Sequence, residues 1–267
     1  MAVLYGSFEP LGSTILCSIV PGTGVTTAIG VIGYDLGGMA FDYTTQTMYG
    51  VTHNGGPDSF ALVTVNLTTG AGTLVGFNDG SSGPGDWGVS DLAVSSAGVL
   101  YGMGVSLAPD AGLYEINKAT GLATLVGAVG PGYQGGGCDF VNGVLHAMFG
   151  KKLYSFSTVT GVATYITDLS EPATMIAAST NPSSQVLWAL DSDFGTGGYD
   201  LSTVDVVTGA VVDVSNPQHN GRNSFALAWA PSSTQPVHQR IYGIPVEVFD
   251  DGTEQVRELI VGVVGAP

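Results

Sequence analysis

The chain has 267 residues, 22 of them Asp or Glu against 6 Lys or Arg for a formal charge of −16, with 41 glycines, 44% apolar residues and only 10% charged ones. So acidic a chain does not neutralise a phosphate backbone or dock on an anionic bilayer through a basic patch. So apolar a chain does not stay disordered, and glycines without a three-residue period do not make collagen; an all-β globular protein with many tight turns is expected.

The first element is Val3-Leu4-Tyr5-Gly6. No basic segment or long apolar run accompanies it, so no secretion signal is expected there. No stretch of the chain approaches the ~20 apolar residues of a membrane-spanning helix, and a soluble protein is expected. Next come Ser13–Val20 and the turn Pro21-Gly22-Thr23-Gly24-Val25. That Thr-Gly turn returns at Thr69-Gly70, Thr120-Gly121, Thr160-Gly161 and Thr208-Gly209, at glycine intervals of 40 to 51 residues. Glycine after Thr supplies the positive φ of a tight hairpin. Short strands follow most copies: Thr73-Leu74-Val75, Thr124-Leu125-Val126 and Thr164-Tyr165-Ile166.

A second phrase repeats in phase. Met39-Ala40-Phe41 precedes Met48-Tyr49-Gly50-Val51, and Leu92-Ala93-Val94 precedes Leu100-Tyr101-Gly102-Met103. Cys138-Asp139-Phe140 precedes Leu145-His146-Ala147-Met148, and Ile176-Ala177-Ala178 precedes Leu187-Trp188-Ala189-Leu190. Each unit thus holds four strands, A to D, with the Thr-Gly turn between C and D. Four short strands in roughly 40–50 residues make a β-propeller blade. Leu227-Ala228-Trp229 reads as a strand A that lacks its strand B, and Val3–Gly6 is a strand B that lacks its strand A. Joining residues 223–231 to 2–33 closes the ring and removes an exposed edge. The expected fold is therefore a five-bladed β-propeller over residues 1–231, with one blade shared between the two ends.

Along strand A, Met39, Leu92, Cys138, Ile176 and Leu227 form one column, and Phe41, Val94, Phe140, Ala178 and Trp229 a second on the same face. Ala40, Ala93, Asp139, Ala177 and Ala228 lie between them, so large side chains oppose small ones from blade to blade. Asp139 interrupts the small column and is expected to satisfy backbone donors near the centre. Cys17 and Cys138 sit in strand-like runs and are expected as buried thiols.

Met39–Thr52 with Leu62–Gly76, and Leu113–Gly127, resemble the repeats of bacterial and phage extracellular-type β-propellers, in which a phrase like LAFDxxTxxLYGVT…LYxINxxTGxATLVG recurs. The resemblance extends over residues 2–231 and implies architecture. Propellers host binding proteins, scaffolds and enzymes alike, so it implies no ligand.

The D-to-A and B-to-C loops gather on one end of such a ring. They carry Tyr34, His53, Asn54, Trp87, Tyr133, Phe194, Tyr199, His219, Asn220 and Arg222. Aromatics beside Asn and Arg suit carbohydrate or protein recognition, so this loop face is the expected ligand-binding site. The opposite end, with its short turns, reads as scaffold. A glycosidase would need a general acid and a second carboxylate across a pocket. The candidates are Asp91, Asp139 and Asp35, and no matched set emerges, so no catalytic residues are assigned. Asp191-Ser192-Asp193-Phe194-Gly195 begins like a calcium loop, but its twelfth position is Ser202 and a solvated acidic turn is expected instead. His53, His146, His219 and His238 have no ligand spacing, and no metal or cofactor is expected. Asn66-Leu67-Thr68 is a formal glycosylation triplet.

Residues 232–267 fall outside the repeat. Ser232–Pro236 reads as a linker, and Ile241–Phe249, the Asp250–Thr253 turn and Glu254–Val264 read as a β-hairpin. An isolated hairpin is marginal in water. Ile241, Tyr242, Ile244, Val246, Val248, Ile260 and Val261 therefore need a covering surface and are the expected assembly interface. The functional expectation is a non-enzymatic structural or adhesive component of a larger assembly: a virion protein such as a phage capsid or tail appendage. Its partners would be other structural proteins through 232–267 and a surface glycan or host receptor on the loop face, with neither nucleic acid nor membrane insertion. The alternatives are a secreted or cell-envelope propeller that binds carbohydrate or protein, and a five-bladed glycosidase.

Overall fold

The computed structural model describes residues 2–8, 14–52, 59–80, 88–104, 111–128, 136–170, 174–193, 198–215 and 224–232. The chain divides into two units, Met1–Ser233 and Thr234–Pro267. The second unit, with the expected hairpin and the interface residues Ile241 to Val261, lies outside the described residues.

Twenty strands and no helix occur among the described residues. They are β1 (Ala2–Phe8), β2 (Ile15–Val20), β3 (Val25–Val31), β4 (Leu36–Asp42), β5 (Thr47–Thr52), β6 (Ala61–Val65), β7 (Gly72–Phe77), β8 (Val89–Val94), β9 (Leu100–Gly104) and β10 (Gly112–Ile116). They continue as β11 (Ala123–Ala128), β12 (Cys138–Val141), β13 (Val144–Phe149), β14 (Lys152–Phe156), β15 (Ala163–Asp168), β16 (Thr174–Thr180), β17 (Leu187–Asp193), β18 (Gly198–Val204), β19 (Val211–Ser215) and β20 (Ser224–Pro231). Five four-stranded antiparallel sheets result, and four of them use consecutive strands. The fifth runs β20-β1-β2-β3, with Leu4 opposite Trp229 and Tyr5 opposite Ala228, so the chain's two ends share blade I as expected. The protein is a five-bladed β-propeller.

Large-against-small packing builds the seams. Ala226, Ala228 and Ala230 of blade I meet Met39, Phe41 and Met48 of blade II in one buried cluster, and Ala40 of blade II meets Leu92 and Leu100 of blade III in the next. The Thr-Gly turns are part of this packing. Gly70 and Gly121 sit at φ +80° and +79°, where a side chain is disfavoured. Each also rests on a glycine in the outer strand of the preceding blade, Gly30 and Gly76 respectively, with no room for a Cβ on either partner. Gly127 meets Thr160-Gly161 in the same way. Where blade V meets blade I, Ser215 replaces this glycine and its Oγ donates to Pro21 O at 2.6 Å. An ion pair of 2.6 Å between Lys118 Nζ and Asp42 Oδ2 ties blade III to blade II. Cys17 and Cys138 are free and buried.

Two expectations need correction. In blade V the residues paired with Trp188 and Leu187 are Ser179 and Thr180, not Ala177 and Ala178. The register shift between Met175 and Ala177 matches the one between Leu36 and Gly38 in blade II, so the equivalents of Met39-Ala40-Phe41 are Ala178-Ser179-Thr180. The second concerns Asp191 and Asp193, which end β17 and pair with Asp200 and Gly198 rather than forming a solvated turn; Asp191 is buried.

Candidate functional site

With the corrected register, Phe41, Val94, Phe140, Thr180 and Trp229 hold one equivalent position in the five inner strands. All five line a single cavity of about 160 Å³, joined by Ala40, Asp139 and Ser179 from the small column. Tyr43, Ser96, Gly143, Pro182 and Gln185 from the A-to-B turns complete it. Five contributions at one level place the cavity on the propeller axis. It opens among the short turns, where Tyr43 is 43% exposed. That end was expected to be plain scaffold.

Among the described residues, Asp139 is the one ionisable carboxyl group of the lining. Its Oδ1 accepts the Phe140 N–H at 2.7 Å, and its Oδ2 accepts the Thr180 N–H at 2.6 Å and the Ser179 hydroxyl at 3.5 Å. Burial pushes its pKa up to about 7, while the backbone donors pull the other way. From there a chain of bonds crosses the next two seams, into blades I and II. Ser179 Oγ accepts the Trp229 N–H at 2.9 Å, and Trp229 O accepts the Tyr43 hydroxyl at 3.1 Å. Asp139 thus performs the expected donor-satisfying role and also borders the cavity.

Asp91 lies two positions earlier in the inner-strand repeat, among Gly38, Gly137, Ala177 and Ala226. It is wholly buried. Its Oδ1 accepts the Leu92 N–H at 2.9 Å, and its Oδ2 accepts Cys138 N–H at 2.8 Å and Ala178 N–H at 3.2 Å, so one carboxyl group joins three blades. A Cβ on Gly38 would come within 2.5 Å of Asp91 Oδ1, and one on Gly137 within 2.6 Å of the Ala177 backbone, so both positions require glycine. Desolvation raises the Asp91 pKa well above the ordinary carboxylate range, against the pull of these three N–H groups. The carboxyl does not line the cavity. Asp35 is exposed, accepts the Thr14 hydroxyl at 3.5 Å and does not line the cavity. The described cavity therefore holds one carboxyl group, whereas glycoside hydrolysis uses a pair flanking the scissile bond.

Of the residues expected on the loop face, Tyr34 and Tyr199 are described. Tyr34 is partly buried and packs on the blade I–II core, close over Gly72. Tyr199 is paired with Ser192 in β18, and burial raises its pKa. Neither lines the axial cavity. His53, Asn54, Trp87, Tyr133, Phe194, His219, Asn220 and Arg222 lie outside the described residues. Sequence reasoning passed over the cavity because its walls come from five blades. The one signal was Asp139 in a column of alanines. No group of three His, Cys, Asp or Glu side chains that could hold a metal ion occurs among the described residues, and no helix there is long and apolar enough to cross a membrane.

No protein-family model and no curated protein matches the chain. Solved structures similar to it include hydrazine synthase from Kuenenia stuttgartiensis, at 12% identity over 67% of this chain and 48% of that one, with a TM-score of 0.44. A structural-genomics protein from Bacteroides thetaiotaomicron has 14% identity over 78% and 57%, with a TM-score of 0.49. TolB from Acinetobacter baumannii has 15% identity over 82% and 52%, with a TM-score of 0.47. The chain spans about half the length of these proteins. At such identities the likeness concerns fold alone.

Proposed function

We propose that this chain is a non-enzymatic structural and recognition component of a larger assembly, a propeller platform joined to its neighbours through residues 232–267. The observation that carries the reading is the use made of the axial carboxyl groups. Asp91 and Asp139 accept backbone N–H groups across blade seams, where a hydrolytic pair would have to face substrate. A group committed to buried amide donors is poorly placed to shuttle protons, because every change of its charge disturbs the ring it closes. The assembly we favour is a virion, with the propeller as an appendage whose loop face meets a surface glycan or host receptor. The closed low-charge platform, the aromatic-rich loops and the apolar terminal segment support it.

Light scattering on the full chain and on a 1–233 truncation tests this reading. The ring closes within residues 2–231, so the truncation retains every blade. An oligomeric full chain beside a monomeric, folded truncation supports the assembly role. Two monomers of equal stability overturn it.

A further inference from the structure

The axial cavity has no part in the assembly reading. Among the described residues it is bordered by one carboxyl group and by four aromatic side chains, Phe41, Tyr43, Phe140 and Trp229, and by no Lys, Arg or His. The ion pair found among the described residues, Lys118 with Asp42, lies elsewhere. Each Asp139 oxygen keeps acceptor capacity beyond its backbone donor, since a carboxylate offers about four lone-pair sites. Aromatic faces carry negative charge density and draw cations, and guanidinium above all because it can stack as well as pair. The net charge of −16 favours cationic partners further.

The Trp229 ring lines the cavity, while its indole Nε1–H is buried and offers no donor to a ligand there. The cavity's complement is therefore set by the carboxylate and the ring faces, which a planar guanidinium meets by pairing and stacking at once. The cavity volume of about 160 Å³ has room for one such head group and no folded element.

We propose that the axial cavity at the short-turn end binds an arginine side chain of a partner polypeptide, its guanidinium against Asp139 among the four aromatic side chains. This is independent of the assembly reading, whose test is solution mass.

The test follows the three tryptophan indole ¹⁵N–¹H resonances of the full chain, with Trp229→Phe used to assign the one from the cavity. The probes are N-acetyl-arginine-N-methylamide, methylguanidinium and its neutral analogue methylurea. The amide and methylguanidinium should both shift the Trp229 resonance saturably, and methylurea should bind several-fold more weakly than either. Asp139→Asn should weaken both cations about tenfold, which is ~1.4 kcal/mol. Equal binding of methylurea and methylguanidinium overturns the proposal, as does unchanged binding in a folded Asp139→Asn chain. Absence of a saturable shift with every probe also overturns it. Should Asp139→Asn fail to fold, the ranking of the three probes on the native chain still decides the matter.

Discussion

Asp139→Asn should remove a pH dependence of stability that this one carboxyl group creates. Its pKa rises from 3.8 to about 7 on folding, because burial disfavours the charged form more than the Thr180 and Phe140 amides favour it. A raised acid pKa means that the fold prefers the neutral group. The stability it contributes is complete below pH 3.8 and is lost as pH rises through about 7. At about 1.4 kcal/mol per unit, the loss amounts to at most ~4 kcal/mol. Urea denaturation of the native chain and of Asp139→Asn, from pH 4 to pH 8, measures it as a difference in which the other carboxyl groups largely cancel. Asp91 does not cancel fully, since the Asp139 charge raises its pKa, but that contribution has the same sign. The stability of the native chain relative to the variant should fall from pH 4 to about pH 7 and level off above it. A flat or rising difference would refute the assignment of a buried, largely uncompensated carboxyl group at the axis.

Two further outcomes follow from the seams. Gly76→Ala places a Cβ on the Thr120 carbonyl of the next blade and should cost about 3 kcal/mol in denaturation experiments, whereas Gly22→Ala meets nothing within 4 Å and should stay within ~0.5 kcal/mol. Equal effects at the two glycines would sink the inter-blade account of the Thr-Gly turns. Asp91→Ala strands three buried N–H groups at roughly 1–3 kcal/mol each, while Asp91→Asn keeps one acceptor oxygen. The alanine variant should therefore be clearly the less stable of the two by urea titration, and parity between them would show that Asp91 does not staple the blades.

The sequence by itself determined the blade count, the four-strand unit and the joining of residues 224–231 to 2–8. Those features rest on periodic contacts between neighbouring segments, with Gly70 and its equivalents marking every hairpin. It also marked Asp139 as out of place among alanines, although not what surrounds it. Tertiary structure decided the rest. The strand of blade V could be aligned on either Ile176-Ala177-Ala178 or Ala178-Ser179-Thr180, since small and β-branched residues fill both. The pairing with β17 selects the second, with Thr180 opposite Leu187 as Phe41 is opposite Met48, and only then do Ser179 and Thr180 reach Asp139. The two glycines that meet between blades II and III, Gly76 and Gly121, are a whole repeat apart, as are Asp91 and Cys138. The cavity needs one residue from each of five blades at a common level. The sequence columns aligned four of these residues, Phe41, Val94, Phe140 and Trp229, but blade V enters the level through Thr180 rather than Ala178, and only the closed ring shows that the level encloses a cavity.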